Sequence, residues 1–205
     1  MKKLEASMIL RDRLYGLVLC GGKSTRMGKD KGQIAYHGIP QREYLYHLLD
    51  KVCEKTYMSI RREQEREIGT RYNRIQDQDK YRGPFNGLLS AHNKFPDVAW
   101  LVLACDLPLM DVHAIRQLVL ARDSNKMATA FAQLENSLPE PLCAIWEPQG
   151  LRSSMSYVGQ GNGNSPRKFL MENAVNLVFP KSTDVLLNAN SMEDYKEVLE
   201  KLEAL

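Results

Sequence analysis

A short apolar run that empties into glycine and then into a cluster of positive charge opens the ordered part of the chain: GLVLCGGKSTRMGKDKG, Gly16 to Gly32. The run lacks the strict alternation of a half-exposed strand. It reads as a strand buried on both faces, Tyr15 to Cys20, as in a parallel sheet covered by helices. Lys23, Arg26, Lys29 and Lys31 follow Gly21 and Gly22 closely. In an open parallel sheet ligands sit outside the carboxyl ends of the strands. Glycine there lets the main chain approach phosphate oxygens where a Cβ would collide, so the pattern points to a loop that wraps a nucleoside triphosphate.

The loop is not a P-loop, although GKST at Gly22 to Thr25 imitates one. That motif needs a further glycine at position 17, where the chain has Leu17. Gly28 and Gly32 also follow too soon for the helix that a P-loop feeds, each costing about 1 kcal/mol relative to alanine. The apolar Trp100 to Asp106 segment resembles a Walker B strand, but without its partner motif the resemblance carries no weight.

Strand and helix patterns then alternate. Helical spacing runs through Glu43, Tyr44, Leu45, Leu48, Leu49 and Val52, and strands are expected at Thr56 to Ile60 and Tyr72 to Gln76. A helix opens near Pro84, a strand covers Ala99 to Ala104, Asp111 caps a helix to Ala121, and Met127 to Ala132 is a further strand. Beyond Pro139 and Pro141 the pattern loosens. Gly159 to Pro166 is the clearest loop, and Ser191 with Asp194 forms a capping box for a last amphipathic helix. This order predicts an α/β fold, a three-layer sandwich with a mostly parallel, Rossmann-like sheet.

The chain's 205 residues suit one domain, expected from residue 15 to 205 after a flexible leader of residues 1–14. A net charge of +3 is too small to suggest a nucleic-acid partner, and no apolar run is long enough to span a bilayer, so a cytoplasmic protein is expected. Cys20, Cys53, Cys105 and Cys143 form no CxxC pair and read as buried free thiols. The mixed-sign stretch Arg61 to Glu67 reads as a solvated helical face. The histidines His37, His47, His92 and His113 read as surface or core residues rather than catalysts.

Leu19 to Lys31 resembles the signature Leu-x-Gly-Gly-x-Ser-x-Arg-Met-Gly, closed by Asp-Lys, of the molybdenum cofactor guanylyltransferase family. The segments Arg82 to Leu88, Ala104 to Met110, Glu140 to Trp146 and Leu187 to Asp194 are similar to further motifs of that family, in the same order. The resemblance implies a nucleotidyltransferase, of the nucleotide-diphospho-sugar transferase fold type, that joins GMP from Mg-GTP to molybdopterin and releases pyrophosphate. Proteins that deliver the molybdenum cofactor would be its partners. It also implies that Leu19, Gly21 and Gly22 hold base and phosphates, Lys31 the phosphates, Asp77 the nucleoside and Asp106 the Mg²⁺ ion. Asn188 and Asn190 would lie near the pterin. The double glycine tilts the choice toward guanine over cytosine, with another base, a sugar-phosphate acceptor or a non-catalytic binding role as alternatives. Cys20 departs from the family's alanine, and Ser59 falls where relatives carry asparagine.

The chemistry fits these residue types. Phosphoryl transfer asks for positioning and charge neutralisation rather than covalent catalysis, and Mg²⁺ needs only one or two carboxylates beside phosphate oxygens. Asp106, at the end of an apolar strand, is the best-placed carboxylate. Lys31 and Arg26 would stabilise charge on the α-phosphate and the leaving pyrophosphate. Asp30 is expected to order the loop by pairing with the lysines on either side, with a contact to ligand as the alternative, and Arg167 with Lys168 to meet an acidic acceptor.

Overall fold

In a computed structural model, residues 13–21 and 30–204 are described. Most of the expected leader lies outside them, as do Gly22, Lys23, Arg26, Gly28 and Lys29. Strands β1 (Leu14–Leu19), β2 (Lys55–Ile60), β3 (Arg74–Gln76), β4 (Ala99–Ala104), β5 (Ala128–Ala132), β6 (Pro139–Trp146) and β7 (Val175–Val178) form one sheet in the order β3-β2-β1-β4-β6-β5-β7. Every neighbouring pair is parallel except those made by β6, which runs antiparallel to both β4 and β5. Helices α1 (Gln41–Asp50), α2 (Phe85–Lys94), α3 (Val112–Leu120), α4 (Pro148–Gly159), α5 (Pro166–Met171) and α6 (Met192–Glu203) connect and cover the strands.

The period of the central strands decides the layers. In β4, Leu101 and Leu103 face the core that holds Leu45, Leu49 and Ile115. Trp100 and Val102 face the opposite core, with Phe85, Leu88 and Trp146. Both sets are buried, which is why β4 reads as a continuous apolar run. Each fully buried side chain of this size contributes roughly 1.5–3 kcal/mol of transfer free energy. The caps follow the sequence. Asp111 accepts from Ala114 N at 2.7 Å, and Ser191 Oγ accepts from Asp194 N at 3.1 Å while Asp194 Oδ2 accepts from Ser191 N at 2.9 Å.

Strand β6 is the element that the sequence pattern conceals. Two prolines argue against a central strand, because each lacks a ladder donor. The fold places both outside the ladder with β4, which begins only at Cys143 opposite Leu103. Pro139 meets β5 where that register is irregular, and the Pro141 carbonyl accepts from Trp146 Nε1 at 2.9 Å. Cys20, Cys105 and Cys143 are buried and Cys53 is half-buried, all as free thiols.

Candidate active site

The carboxyl ends of the parallel strands converge on one cleft of about 670 Å³, a size ordinary for a small-molecule site. From β1 it takes Leu19 and, just beyond, Gly21. From the end of β2 it takes Ser59 and Arg61, from that of β3 Asp77, and from that of β4 Asp106. Lys31 enters from the loop after β1 and Asn190 from the segment before α6.

Lys31 is held by a chain of polar contacts. Asp30 Oδ1 accepts from Gly32 N at 2.9 Å and so caps the 3-10 turn of Lys31–Gln33. Its Oδ2 accepts from Gln64 Nε2 at 2.7 Å, and the same amide donates to the Cys20 carbonyl at 3.0 Å. The loop's return is thereby tied to the end of β1. Asp30 orders the turn, but among the described residues it does so through Gln64 and a backbone amide rather than through the expected pairing with lysine. Lys31 Nζ donates to Asn190 Oδ1 and stands 4.0 Å from Asp106 Oδ2. Burial pushes the Asp106 carboxyl above its usual range, and the Lys31 charge partly offsets that. The Asp106 carbonyl accepts from Ala189 N at 2.9 Å, which fastens the segment carrying Asn190 to the end of β4.

On the other side of β1, Asp77 Oδ1 accepts from the Ser59 hydroxyl at 2.6 Å. Burial raises the Asp77 carboxyl to about 6, against the lowering effect of the Ser59 hydrogen bond. Gly21 has a specific reason to be glycine: a Cβ there would stand 2.7 Å from Asp77 Oδ2. The missing side chain makes room for a carboxylate, a reason different from the close approach to phosphate that the sequence suggests.

The structure therefore brings Leu19, Gly21, Lys31, Asp77, Asp106 and Asn190 to one cleft. Asn188 does not line it; its amide donates to the Leu186 carbonyl at 3.1 Å. Gly22 and Arg26 lie outside the described residues. Arg167 and Lys168 also lie away from the cleft lining, paired with Glu140 at 2.7 Å and Glu172 at 3.8 Å. Gln64 and Arg61, read from the sequence as parts of a solvated face, turn inward. Gln64 gives no sequence signal, one amide among six polar neighbours. For Arg61 the signal is its place one residue past an apolar strand, where parallel sheets put ligands.

Residues 16–176 match the MobA-like NTP transferase domain. The chain belongs to that family. Among relatives of this MobA-like chain, a molybdenum cofactor biosynthesis bifunctional protein of Synechocystis is 36% identical over 188 residues, covering 90% of the chain but 53% of that protein. The chain thus spans about half the length of that relative. A molybdenum cofactor guanylyltransferase of Ectopseudomonas mendocina is 28% identical, with 86% of the chain and 87% of the relative covered. The crystal structure of molybdopterin-guanine dinucleotide biosynthesis protein A from Archaeoglobus fulgidus superposes with a TM-score of 0.77 at 21% identity, covering 93% of this chain and 100% of that one. It shares the fold. Among the described residues of this MobA-like chain, no helix is long and apolar enough to cross a membrane.

Proposed function

We propose that the protein transfers GMP from GTP to molybdopterin with Mg²⁺ as cofactor, releasing pyrophosphate. The observation that carries this is the meeting of Lys31 and Asp106 across one cleft at the strand ends. The relatives named as guanylyltransferases support the choice of base and acceptor. Proteins that supply molybdopterin would be its partners, in a cytoplasmic setting.

The residues present suit a magnesium ion. Asp106 is a partly exposed carboxylate with hard oxygen donors, and among the described residues no cluster of three or more acidic, histidine or cysteine side chains competes with it. One carboxylate plus phosphate oxygens and water is an ordinary Mg²⁺ environment. Bound there, the ion would neutralise phosphate charge. A terminal phosphate oxygen of the acceptor attacks the α-phosphorus of GTP, a new P–O bond forms, and the bond to the β-phosphate breaks with its electrons leaving on pyrophosphate. Lys31, held by Asn190, places a point charge on the phosphates. Arg26 would stabilise the same charge from the loop, and Leu19, Gly21 and Gly22 would present main chain to the nucleotide. Asp77, oriented by Ser59, takes the nucleoside, while Asn190 belongs to the acceptor side.

A nucleotide panel tests this. A ligand that binds only the folded state raises stability by RT ln(1 + [L]/Kd), so Mg-GTP is expected to raise the melting temperature more than CTP, ATP or UTP. Equal shifts for all four, or the largest for CTP, would remove the guanine assignment. Pyrophosphate release dependent on added molybdopterin tests the acceptor.

A further inference from the structure

Among the described residues that line the cleft, Arg61 is the cation besides Lys31, and the proposed chemistry leaves it unused. Its main chain is fixed, since Arg61 N donates to Gln64 Oε1 at 3.0 Å and its carbonyl accepts from Gln64 N at 3.1 Å. Its guanidinium lies close enough to Asp77 to pull that carboxyl downward against the effect of burial. Among the described residues it forms no hydrogen bond, and its Nε is buried without a partner. Eight such buried, unpaired side-chain atoms occur among the described residues, and the Arg61 Nε is the one whose residue lines the cleft, which calls for an explanation.

The surroundings supply one. Asp77 Oδ2 stands 2.7 Å, and Arg61 Cγ 3.7 Å, from the point where a Gly21 Cβ would be. The Arg61 stem and the Asp77 carboxylate therefore flank the same glycine, and the Arg61 charge acts on that carboxylate. Both lie on the β2–β3 side of β1, while Asp106 ends β4 on the other side. The phosphates have Lys31 and Asp106 there, so the β2–β3 side is left for the base. Guanine alone carries two acceptors, N7 and O6, on one edge and two donors, N1–H and the N2 amino group, on the adjoining edge. Arginine binds the first edge with both its prongs, and a carboxylate takes the second. Adenine replaces O6 with an amino donor, which would meet the guanidinium donor to donor.

We infer that Arg61 is a specificity-determining residue, reading N7 and O6 of guanine while Asp77 takes the N1 and N2 donors. The inference rests on the cleft accepting GTP, and deepens that proposal by naming the residue that excludes adenine. A phosphate contact is the competing use of the same charge, and the experiment separates the two.

Calorimetric titration of the full chain with Mg-GTP, Mg-7-deaza-GTP and Mg-ATP makes the test, using the parent protein, Arg61→Gln and Arg61→Lys. The deaza nucleotide keeps O6 and the phosphates but replaces N7 with a carbon. The parent is expected to bind it roughly tenfold more weakly than GTP, and Arg61→Gln to bind GTP about ten- to a hundredfold more weakly than the parent does, the range for loss of a bidentate pair. In Arg61→Gln the difference between the two guanine nucleotides should vanish, and Arg61→Lys, which keeps the charge but not the fork, should not restore it. Equal binding of GTP and 7-deaza-GTP by the parent overturns the inference without recourse to any variant. So does a parent-like difference in Arg61→Gln, or full recovery of GTP affinity in Arg61→Lys, which would place the charge on phosphate. If the parent prefers ATP to GTP, the guanine assignment itself fails, and that outcome is visible before a variant is made.

Discussion

Two ion pairs at opposite ends of the fold show what distinguishes a pair that holds the chain together from one that awaits a ligand. Arg122, just beyond α3, meets Glu147, at the amino end of α4, with Nε–Oε1 at 2.7 Å and Nη2–Oε2 at 3.0 Å. Glu147 is only 2% exposed, and the fork-to-carboxylate geometry satisfies both its oxygens. Lys31 and Asp106 stand 4.0 Å apart, with side chains 20% and 27% exposed. Among the described residues Asp106 has no bidentate partner, and its ionised form is disfavoured by burial. The first pair is closed; the second retains oxygen lone pairs and positive charge facing a cleft. Unsatisfied charge at the site is a cost to the folded chain that a nucleotide and a divalent ion would relieve.

The contrast can be broken in order of expected effect. Asp106→Ala should lower GMP transfer roughly a thousandfold or more, as loss of a principal charge-stabilising group does, while leaving the unfolding midpoint of the ligand-free protein close to that of the parent. Retention of parental turnover in Mg²⁺, or a collapse in stability, would erase the distinction between the two pairs. Glu147→Ala should do the reverse. It removes both oxygens of the buried fork-to-carboxylate pair with Arg122, for a destabilisation of about 1–3 kcal/mol by urea denaturation, with transfer by the remaining folded fraction little changed. A change under 1 kcal/mol would mean that the closed pair is not structural.

Asp77 sharpens the comparison because it lies between the extremes, anchored by Ser59 but raised to about 6. A folded pKa above the unfolded value of 3.8 means a stability contribution fully present below that value and lost as pH rises through about 6. Asp77→Asn should therefore stabilise the ligand-free protein at pH 7 by about 2 kcal/mol, an advantage that shrinks as pH is lowered toward 4. The same variant should lose GTP affinity. In the parent, affinity should weaken below about pH 6 as the carboxylate is protonated. Denaturant melts and titrations at several pH values check both signs.

Much of the parallel half of the sheet was legible because burial on both faces writes itself into consecutive apolar residues. The expected strands at Tyr15 to Cys20, Thr56 to Ile60 and Ala99 to Ala104 match β1, β2 and β4 to within a residue at each end. The part of the sheet beyond β4 was less legible. Strand β6 carries prolines that are harmless only because the β4 ladder starts at Cys143, a fact of register that no local pattern records. Strand β7 is short and only partly buried, so its pattern is weak. Within the site, Lys31 and Asp106 were visible as a lysine in a glycine-rich loop and a carboxylate at a strand end. That they share one site follows from the sequence only through the family resemblance, and their 4.0 Å approach is set by the fold, since 75 positions of chain separate them.

By itself the sequence determined the layered α/β architecture, the caps of α3 and α6, and the placement of charge after the first strand, because each depends on residues within a few positions of one another. Tertiary structure alone decided that Gly21 makes room for Asp77, that Gln64 ties Asp30 to Cys20, and that Arg61 turns into the cleft. Those contacts depend on strand order and register, which bring distant segments side by side, and hydrophobic periodicity encodes which face of a segment is buried but not which neighbour it meets.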